Sequence, residues 1–494
     1  MAAADPDPAP SRPPAHPVLP APPGRRRRRP GDRVPHARVA VVVGLVTLGV
    51  AGCSGPSSPA EPSSPGAVTA SPGASAVALP DDAAGRQARW VLDQLAPGAQ
   101  PSEADVSERF GAEFVASVPP ARLLEIVDGL RAAGPWTATE VRSSSSGVAV
   151  RLAGPDGDLL MELGVDAAGR VAGLLFSEPA PPRDPAASWE DLLEEVRELP
   201  AQTSFLVAAV QDGACVPVAG TPAGSAPDAA LPIGSMVKLY VLGAVVDAVG
   251  RGDLTWDTEL TVTHAVRSLP SGELQDAPTG TVVTVRESAE KMIAISDNTA
   301  TDLLVQAVGR DRVEAAVADM GHSDPGALVP LPTTRELFWL GWGGGAQLRE
   351  RWREADTAGR RAILSELPEG PLRVDTAALP STAVWPDGVD WTATATDLCA
   401  AHVALAERAG TPHGAPVTDV LTANPGIEVD PARWPSVAFK GGSSTGTMGG
   451  SWAARDADGD LTVVVLQTAA EEVADAVAAG TMVGIAQDAF RLVD

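Results

Sequence analysis

Lysine is nearly absent from this chain. Three occur in 494 residues, at Lys238, Lys291 and Lys440, beside 34 arginines. Arginine does not deprotonate in proteins, whereas a desolvated lysine amine can act as a base. Few positions can therefore do that work, and each is worth locating. Cysteine is scarce as well, at Cys53, Cys215 and Cys399. Three cysteines exclude a dense cross-link framework. Cys215 and Cys399 could form one disulfide outside the cell, but two cysteines so far apart in sequence are more often buried and unpaired, so the favoured expectation is no bridge. The six histidines are scattered, with no HxxxH and no CxxC, so neither a metal site nor a cofactor is expected. Positive charge is lacking overall, with a formal net charge of −26. Residues 1–52 carry eight arginines and three aspartates, a net of +5, which leaves about −31 for the remainder by difference. So acidic a body argues against nucleic acid as a partner.

What the chain does have begins with a targeting segment over residues 1–53. Arg25 to Arg29, with Arg33 and Arg38, flank the apolar stretch Val39 to Val50, which is too short to span a bilayer comfortably. It ends in Val50-Ala51-Gly52-Cys53-Ser54. Small residues before a cysteine resemble a bacterial lipobox, which implies lipidation at Cys53 and a membrane-anchored, extracytoplasmic protein. Residues 54–82, rich in Ser, Pro, Gly and Ala, read as a flexible tether.

Residues 83–179 change character. Helical spacing of apolar residues marks Arg86 to Leu95, Glu103 to Val118 and Pro120 to Ala133. Alternation then marks strands at 136–142, 147–152, 159–165 and 171–176, with Asp156-Gly157 and Ala168-Gly169 as hairpin turns. Helices followed by an antiparallel meander predict a small α+β cone, similar to the steroid-isomerase-like or NTF2-like fold. Residues 180–186 form a proline-rich hinge, and 187–494 a second domain. Its strands at 204–211 and 461–468, with a helix at 471–492, imply one antiparallel sheet joining both ends of the domain and a helical subdomain between them.

Three motifs lie in this second domain. Ser235-Met236-Val237-Lys238 precedes the apolar run Leu239 to Val249. Three residues apart on a helix, Ser235 and Lys238 share a face, so a nucleophile and its base are candidates there. The helix N-terminus would favour negative charge on the serine, and the Ser235 N–H could form half of an oxyanion hole. Ser296-Asp297-Asn298 follows an apolar helix and fits either a proton-relaying turn or a helix cap. Lys440-Gly441-Gly442-Ser443 follows the strand-like Val437-Ala438-Phe439. There Gly442 would let substrate approach closely, and Ser443 could supply a second oxyanion donor.

Taken in this order, the motifs resemble the SxxK, SDN and KTG elements of class A β-lactamases and penicillin-binding proteins. The layout of lipid anchor, small α+β domain and β-lactamase-like domain is similar to the two-domain serine hydrolases of clavulanic-acid clusters. The resemblance implies Ser235 as the acylated nucleophile and Lys238 as its base, with Lys440 nearby to hold its pKa down. It implies Ser296 as the proton shuttle, Asn298 as organiser of Lys238 and substrate, and Lys440 with Ser443 as anchors of a substrate carboxylate. Two departures stand out. Residues 382–391, where a deacylating glutamate belongs, contain none, although Asp387 or Asp390 could substitute. Gly441 stands where KTG has threonine. An insertion at 336–367 carries Phe338, Trp339, Trp342 and Trp352, either packing inserted helices or walling the site. The expectation is an acyl-enzyme hydrolase acting slowly on β-lactams, esters or related small acyl substrates. The alternatives are a D-Ala-D-Ala carboxypeptidase and a non-catalytic acyl-binding lipoprotein.

Overall fold

The computed structural model describes residues 77–493 apart from 144–146, 156, 167, 178–182, 219–225, 270 and 375–378. The targeting segment, Cys53, most of the tether and the start of the hinge lie outside the described residues. No helix among the described residues is long and apolar enough to cross a membrane.

The first domain runs α1 (Ala83–Leu95), α2 (Glu103–Arg109), α3 (Ala112–Ser117), α4 (Pro120–Ala133), β1 (Thr137–Ser143), β2 (Gly147–Ala153), β3 (Leu159–Val165) and β4 (Val171–Ser177). The strands form an antiparallel meander in that order. Asp82 starts α1 by accepting the Gly85 N–H at 2.8 Å, the usual N-cap role of a short acidic side chain. The helix then buries Ala84, Ala88, Val91 and Leu95 on one face. These meet alternate residues of the central strands, Val148, Val150 and Leu152 in β2 and Met161 and Leu163 in β3. The helix expected over 103–118 is broken in two. Phe110 leaves it to bury its ring, and Gly111 donates its N–H to the Val171 carbonyl at 2.8 Å. A tertiary backbone bond there replaces the helical one.

The second domain begins with α5 (Trp189–Glu198), β5 (Gln202–Gln211) and β6 (Ala214–Pro217). β7 (Leu231–Pro232), α6 (Lys238–Gly250), β8 (Glu259–Thr261) and β9 (Val282–Thr284) follow. The helical middle comprises α7 (Val285–Ala294), α8 (Asn298–Val308), α9 (Arg310–Asp319), α10 (Thr334–Phe338), α11 (Gly345–Glu354) and α12 (Thr357–Glu366). The chain returns through β10 (Thr392–Ala393), α13 (Ala395–Ala409) and α14 (Val417–Thr422) to β11 (Ser436–Ser444), β12 (Thr447–Arg455), β13 (Leu461–Ala469) and α15 (Ala479–Leu492).

The main sheet is antiparallel in the order β11-β12-β13-β5-β6. Every residue of β13 is buried, because both faces of this middle strand are covered. Val463 and Val465 pack into the cluster that holds α6, α8 and α13, and Val464 and Leu466 into the one built with α5 and α15. The start of α15 is later than the expected residue 471. The preceding stretch holds only a short turn at Val473–Asp475, and Val477 is buried against the α5–α15 cluster. Helix α6 is apolar on all sides and buried from Lys238 to Val246, which makes it the central helix of the domain. Its buried N-terminal end is where Lys238 sits.

The favoured reading of the cysteines is overturned. Cys215 and Cys399 form a disulfide across 184 residues, with Cα atoms 6.4 Å apart. Edge strand β6 packs on α13, so the fold brings together two cysteines whose sequence separation gave no hint of pairing.

Candidate active site

Ser235 lies in a 3₁₀ turn, Gly234–Val237, immediately ahead of α6. Two glycines let strand β11 press against this turn. Gly234 has a left-handed backbone (φ +48°), and a Cβ there would come within 2.9 Å of the Ser443 nitrogen. A Cβ on Gly442 would lie 2.0 Å from the Ile233 carbonyl oxygen and 3.0 Å from the Ser235 nitrogen. Only glycine at 442 permits that approach. The backbones of Ser235 and Gly442–Ser443 are thereby brought side by side, as two converging oxyanion donors require.

The Ser296 triplet joins two helices. Thr284 and Glu287 form a capping box that starts α7, and Asp297 caps α8 by accepting the Ala300 N–H at 2.8 Å. The other Asp297 oxygen accepts the N–H groups of Glu273 and Leu274 at 2.8 and 2.9 Å. Ser296, pinched between the helices, takes a left-handed backbone with φ +57°. This conformation costs a non-glycine residue about 1–3 kcal/mol and is typical of functional turns.

The reversal at Ser296 turns both its carbonyl and its hydroxyl toward Lys238. The Lys238 Nζ lies within hydrogen-bond distance of the Ser296 carbonyl oxygen (2.6 Å), the Ser296 Oγ (3.0 Å) and the Asn298 Oδ1 (2.7 Å). The Asn298 amide nitrogen is itself fixed on the Leu269 carbonyl at 3.0 Å. From β11, Lys440 Nζ reaches the same Ser296 Oγ at 3.0 Å and the Gly441 carbonyl at 2.9 Å. Four predicted residues from three motifs, Lys238, Ser296, Asn298 and Lys440, are thus in one hydrogen-bonded cluster. Ser235 and Ser443 adjoin it through the packed backbones. Lys291, the third lysine, stands apart in an ion pair with Glu273.

The two cluster lysines are almost wholly buried, at 0 % and 3 % exposure. Burial first, and then the charge of Lys440, hold the Lys238 pKa well below 10.5, against the opposing pull of Asp297 and Asp302. Burial brings Lys440 down to about 7. Two ammonium groups sharing one hydroxyl disfavour double protonation. The arrangement therefore keeps a neutral amine available near neutral pH, with a hydroxyl bridging the two nitrogens.

Two stretches of the chain match known families. Residues 191–336 match the family described as "Beta-lactamase enzyme family", and residues 79–171 match "ORF 12 gene product N-terminal". The β-lactamase match falls within the second domain and the other on the first. No curated protein matches the chain. Among solved structures, a β-lactamase from Sphaerobacter thermophilus DSM 20745 is similar at 19% identity, over 62% of this chain and 98% of that one, with a TM-score of 0.42. PBP-A is similar at 16% identity over 63% and 98% of the two chains, TM-score 0.41. A β-lactamase from Chitinophaga pinensis DSM 2588 is similar at 15% identity over 61% and 96%, TM-score 0.41.

Two departures in the β-lactamase-like domain now have structures. Gly441 faces the Phe439 ring, whose edge would lie 2.9 Å from a Cβ at 441. That ring stacks on Trp452 at 5.2 Å, and so occupies space beside the missing threonine. In the loop without glutamate, Asp387 is engaged by Arg349 and Arg353, both at 2.8 Å. Asp390 faces the other way, accepting from Gly234, Trp391 and Ser444. The inserted aromatics pack. Trp342 and Trp352 are buried in the helical core, Phe338 lies against Trp342, and the Trp352 indole donates to the Gly388 carbonyl at 2.8 Å. Of the two readings of the Ser296-Asp297-Asn298 triplet, the helix cap falls to Asp297 and the turn to Ser296.

Proposed function

We propose that this chain is an extracytoplasmic serine hydrolase that acylates Ser235 with a β-lactam, an ester or a related acyl compound, and releases the product slowly. The observation that carries this reading is the pair of buried lysines meeting on one Ser296 hydroxyl beside the Ser235 turn. Neutral Lys238 takes the Ser235 hydroxyl proton as the oxygen attacks the substrate carbonyl carbon. The resulting oxyanion is held by the N–H groups of Ser235 and Ser443. As the tetrahedral intermediate collapses, the proton returns from Lys238 through the Ser296 hydroxyl to the leaving nitrogen or oxygen. Asn298 keeps the Lys238 amine in place, and Lys440 with Ser443 receives a substrate carboxylate. Water then completes hydrolysis of the ester.

Slow turnover follows from the loop. Asp387 is committed to two arginines and both Asp390 oxygens accept hydrogen bonds, so neither is set up to activate the deacylating water. The same feature favours a second reading, a D-alanyl-D-alanine peptidase. Membrane anchoring through Cys53 rests on the arginine flank, the short apolar run and the lipobox-like residues alone.

Intact-mass spectrometry after mixing with a chromogenic cephalosporin, with a penicillin-like probe and with stem peptides tests these readings. A mass adduct absent from Ser235→Ala is expected, lasting minutes to hours. Decay within seconds would make the chain a working β-lactamase, and release of D-alanine would favour the peptidase. An unmodified wild-type chain with every probe would refute the acyl-enzyme.

A further inference from the structure

The loop that lacks a glutamate holds a carboxylate with another task. Asp390 Oδ1 accepts the Gly234 N–H at 3.0 Å and the Trp391 N–H at 2.8 Å, and its Oδ2 accepts the Ser444 hydroxyl at 2.8 Å. Gly234 immediately precedes Ser235, and Ser444 immediately follows Ser443. One carboxylate thus bridges the two segments whose backbone N–H groups would form the oxyanion hole. These segments already touch, since a Cβ on Gly234 would meet the Ser443 nitrogen at 2.9 Å. Glycine at 234 provides the left-handed turn but no side chain to hold it. The hydrogen bond from its N–H to Asp390 supplies the hold, and a charged acceptor makes that bond stronger than a neutral one.

Asp390 can act as a fixed point because its own segment is anchored on several sides. The Ile233 N–H donates to the Trp391 carbonyl at 2.8 Å, and Pro232 pairs with Thr392 in the β7–β10 ladder. The Trp391 indole is bound to the Pro332 carbonyl at 3.2 Å and the Trp385 indole to the Ala470 carbonyl at 3.0 Å. Upstream, Asp387 and Gly388 are tied to α11 through Arg349, Arg353 and Trp352. Withdrawal from water pushes the Asp390 pKa up to about 6, against the hydrogen bonds from Ser444, Gly234 and Trp391. A surface-facing loop aspartate would carry no such penalty.

We propose that Asp390 is a positioning residue for acylation, its carboxylate setting the spacing of the Ser235 and Ser443 N–H donors by clamping the Gly234 turn to β11. This rests on the reading of Ser235 as nucleophile. The clamp acts through Gly234 and Ser444, and the carboxylate itself takes no proton from substrate or water. Misplacing an oxyanion donor by about 1 Å costs on the order of 100-fold in rate.

The test compares the full-length protein with Asp390→Ala and Asp390→Asn. One arm measures the acylation rate constant against chromogenic cephalosporin concentration by rapid-quench intact mass. The other measures hydrogen exchange in the peptide containing Gly234. In Asp390→Asn the side-chain carbonyl can still accept from Gly234 and Trp391, and the amide can donate to the Ser444 oxygen. The expected result for Asp390→Ala is a limiting acylation rate lowered about 10- to 100-fold, with half-saturation within about 3-fold of wild type and every folded molecule eventually labelled. Exchange at Gly234 should quicken at least about 10-fold, and Asp390→Asn should recover the rate to within about 5-fold. A merely structural role would reduce the labelled fraction and leave the rate constant unchanged, which would overturn the proposal. Unchanged exchange at Gly234 in Asp390→Ala would overturn it as well. Failure of wild type to form an adduct would instead remove the acyl-enzyme reading, and the exchange arm would still decide the clamp.

Discussion

Replacing Lys440 by methionine should make the protein more stable at neutral pH while removing its activity. Lys440 is 3 % exposed, and burial moves its pKa from 10.5 to about 7. That displacement corresponds to roughly 5 kcal/mol by which the folded state disfavours the charged amine. Methionine has similar length and removes the penalty. It also leaves the Ser296 hydroxyl and the Gly441 carbonyl without their Lys440 bonds, at about 1–3 kcal/mol between them. Loss of a neighbouring charge further relieves Lys238, which Lys440 disfavours. The net gain should be at least about 2–4 kcal/mol at pH 6.5.

The sign of the pH dependence checks the cause. A lysine with a depressed folded pKa binds fewer protons folded than unfolded between about pH 7 and 10.5, so stability rises with pH across that window, by about 1.4 kcal/mol per pH unit. Wild type should gain this increment and Lys440→Met should lack it, so the advantage of the variant shrinks from pH 6.5 to 9.5. Asp302 and Asp390, raised to about 7 and about 6, act in the opposite sense. A carboxylate raised in the folded state loses stability as pH climbs from its unfolded value, near 4, through its folded pKa. Both act mainly below pH 7 and largely cancel in the comparison of the two proteins. Urea titrations at four pH values, followed by tryptophan fluorescence, would read the effect, since nine of the eleven tryptophans belong to the second domain. A variant no more stable than wild type at pH 6.5, or an advantage that grows with pH, would refute the reasoning.

Lys238→Arg should lower the acylation rate by about 10²–10⁴-fold although charge is retained, because arginine cannot accept the serine proton; adduct formation at wild-type speed by intact mass would sink the assignment. Gly442→Ala should cost at least about 100-fold in acylation, since its Cβ meets a backbone carbonyl. Gly441→Ala meets only the edge of the Phe439 ring, which can move, and should cost under about 10-fold; equal losses in the two variants would contradict the packing described. Cys215→Ala with Cys399→Ala should lose about 2–5 kcal/mol of stability, for a cross-link spanning 184 residues, while the Ser235 adduct still forms; unaltered urea midpoints would contradict this.

Elements whose burial is simple were legible from residue order. The meander β1–β4 shows its alternation openly, and β13 carries the apolar run Val463–Leu466, which packs on both faces. The break at Phe110 was not legible, because the partner that displaces the helical bond, Val171, lies across the domain. Residues 471–478 carry helix-compatible composition, yet burial of Val477 decides the path instead. In the site, Ser235, Lys238, Ser296, Asn298 and Lys440 stood out because little else can supply a nucleophile, a deprotonable amine and a fixed amide at those spacings. The geometry that unites them was hidden. Neither the left-handed turn of Ser296 nor the reach of Asp390 across 156 residues to Gly234 leaves a local pattern. The disulfide was missed for the same reason.

The strand order has a consequence for how the protein is made. β5 emerges among the first elements of its domain, yet pairs with β13, where Phe205 lies opposite Leu466. The last strand among the described residues is therefore the middle of the sheet and not its edge. A nascent or prematurely terminated copy lacking β13 leaves β5 and β6 with no bridge to β11 and β12, so Lys440 has no frame to deliver it to Ser296. A chain cut before β13 is therefore expected to form no Ser235 adduct, although it still carries Ser235, Lys238, Ser296 and Lys440, and to expose unpaired strand edges.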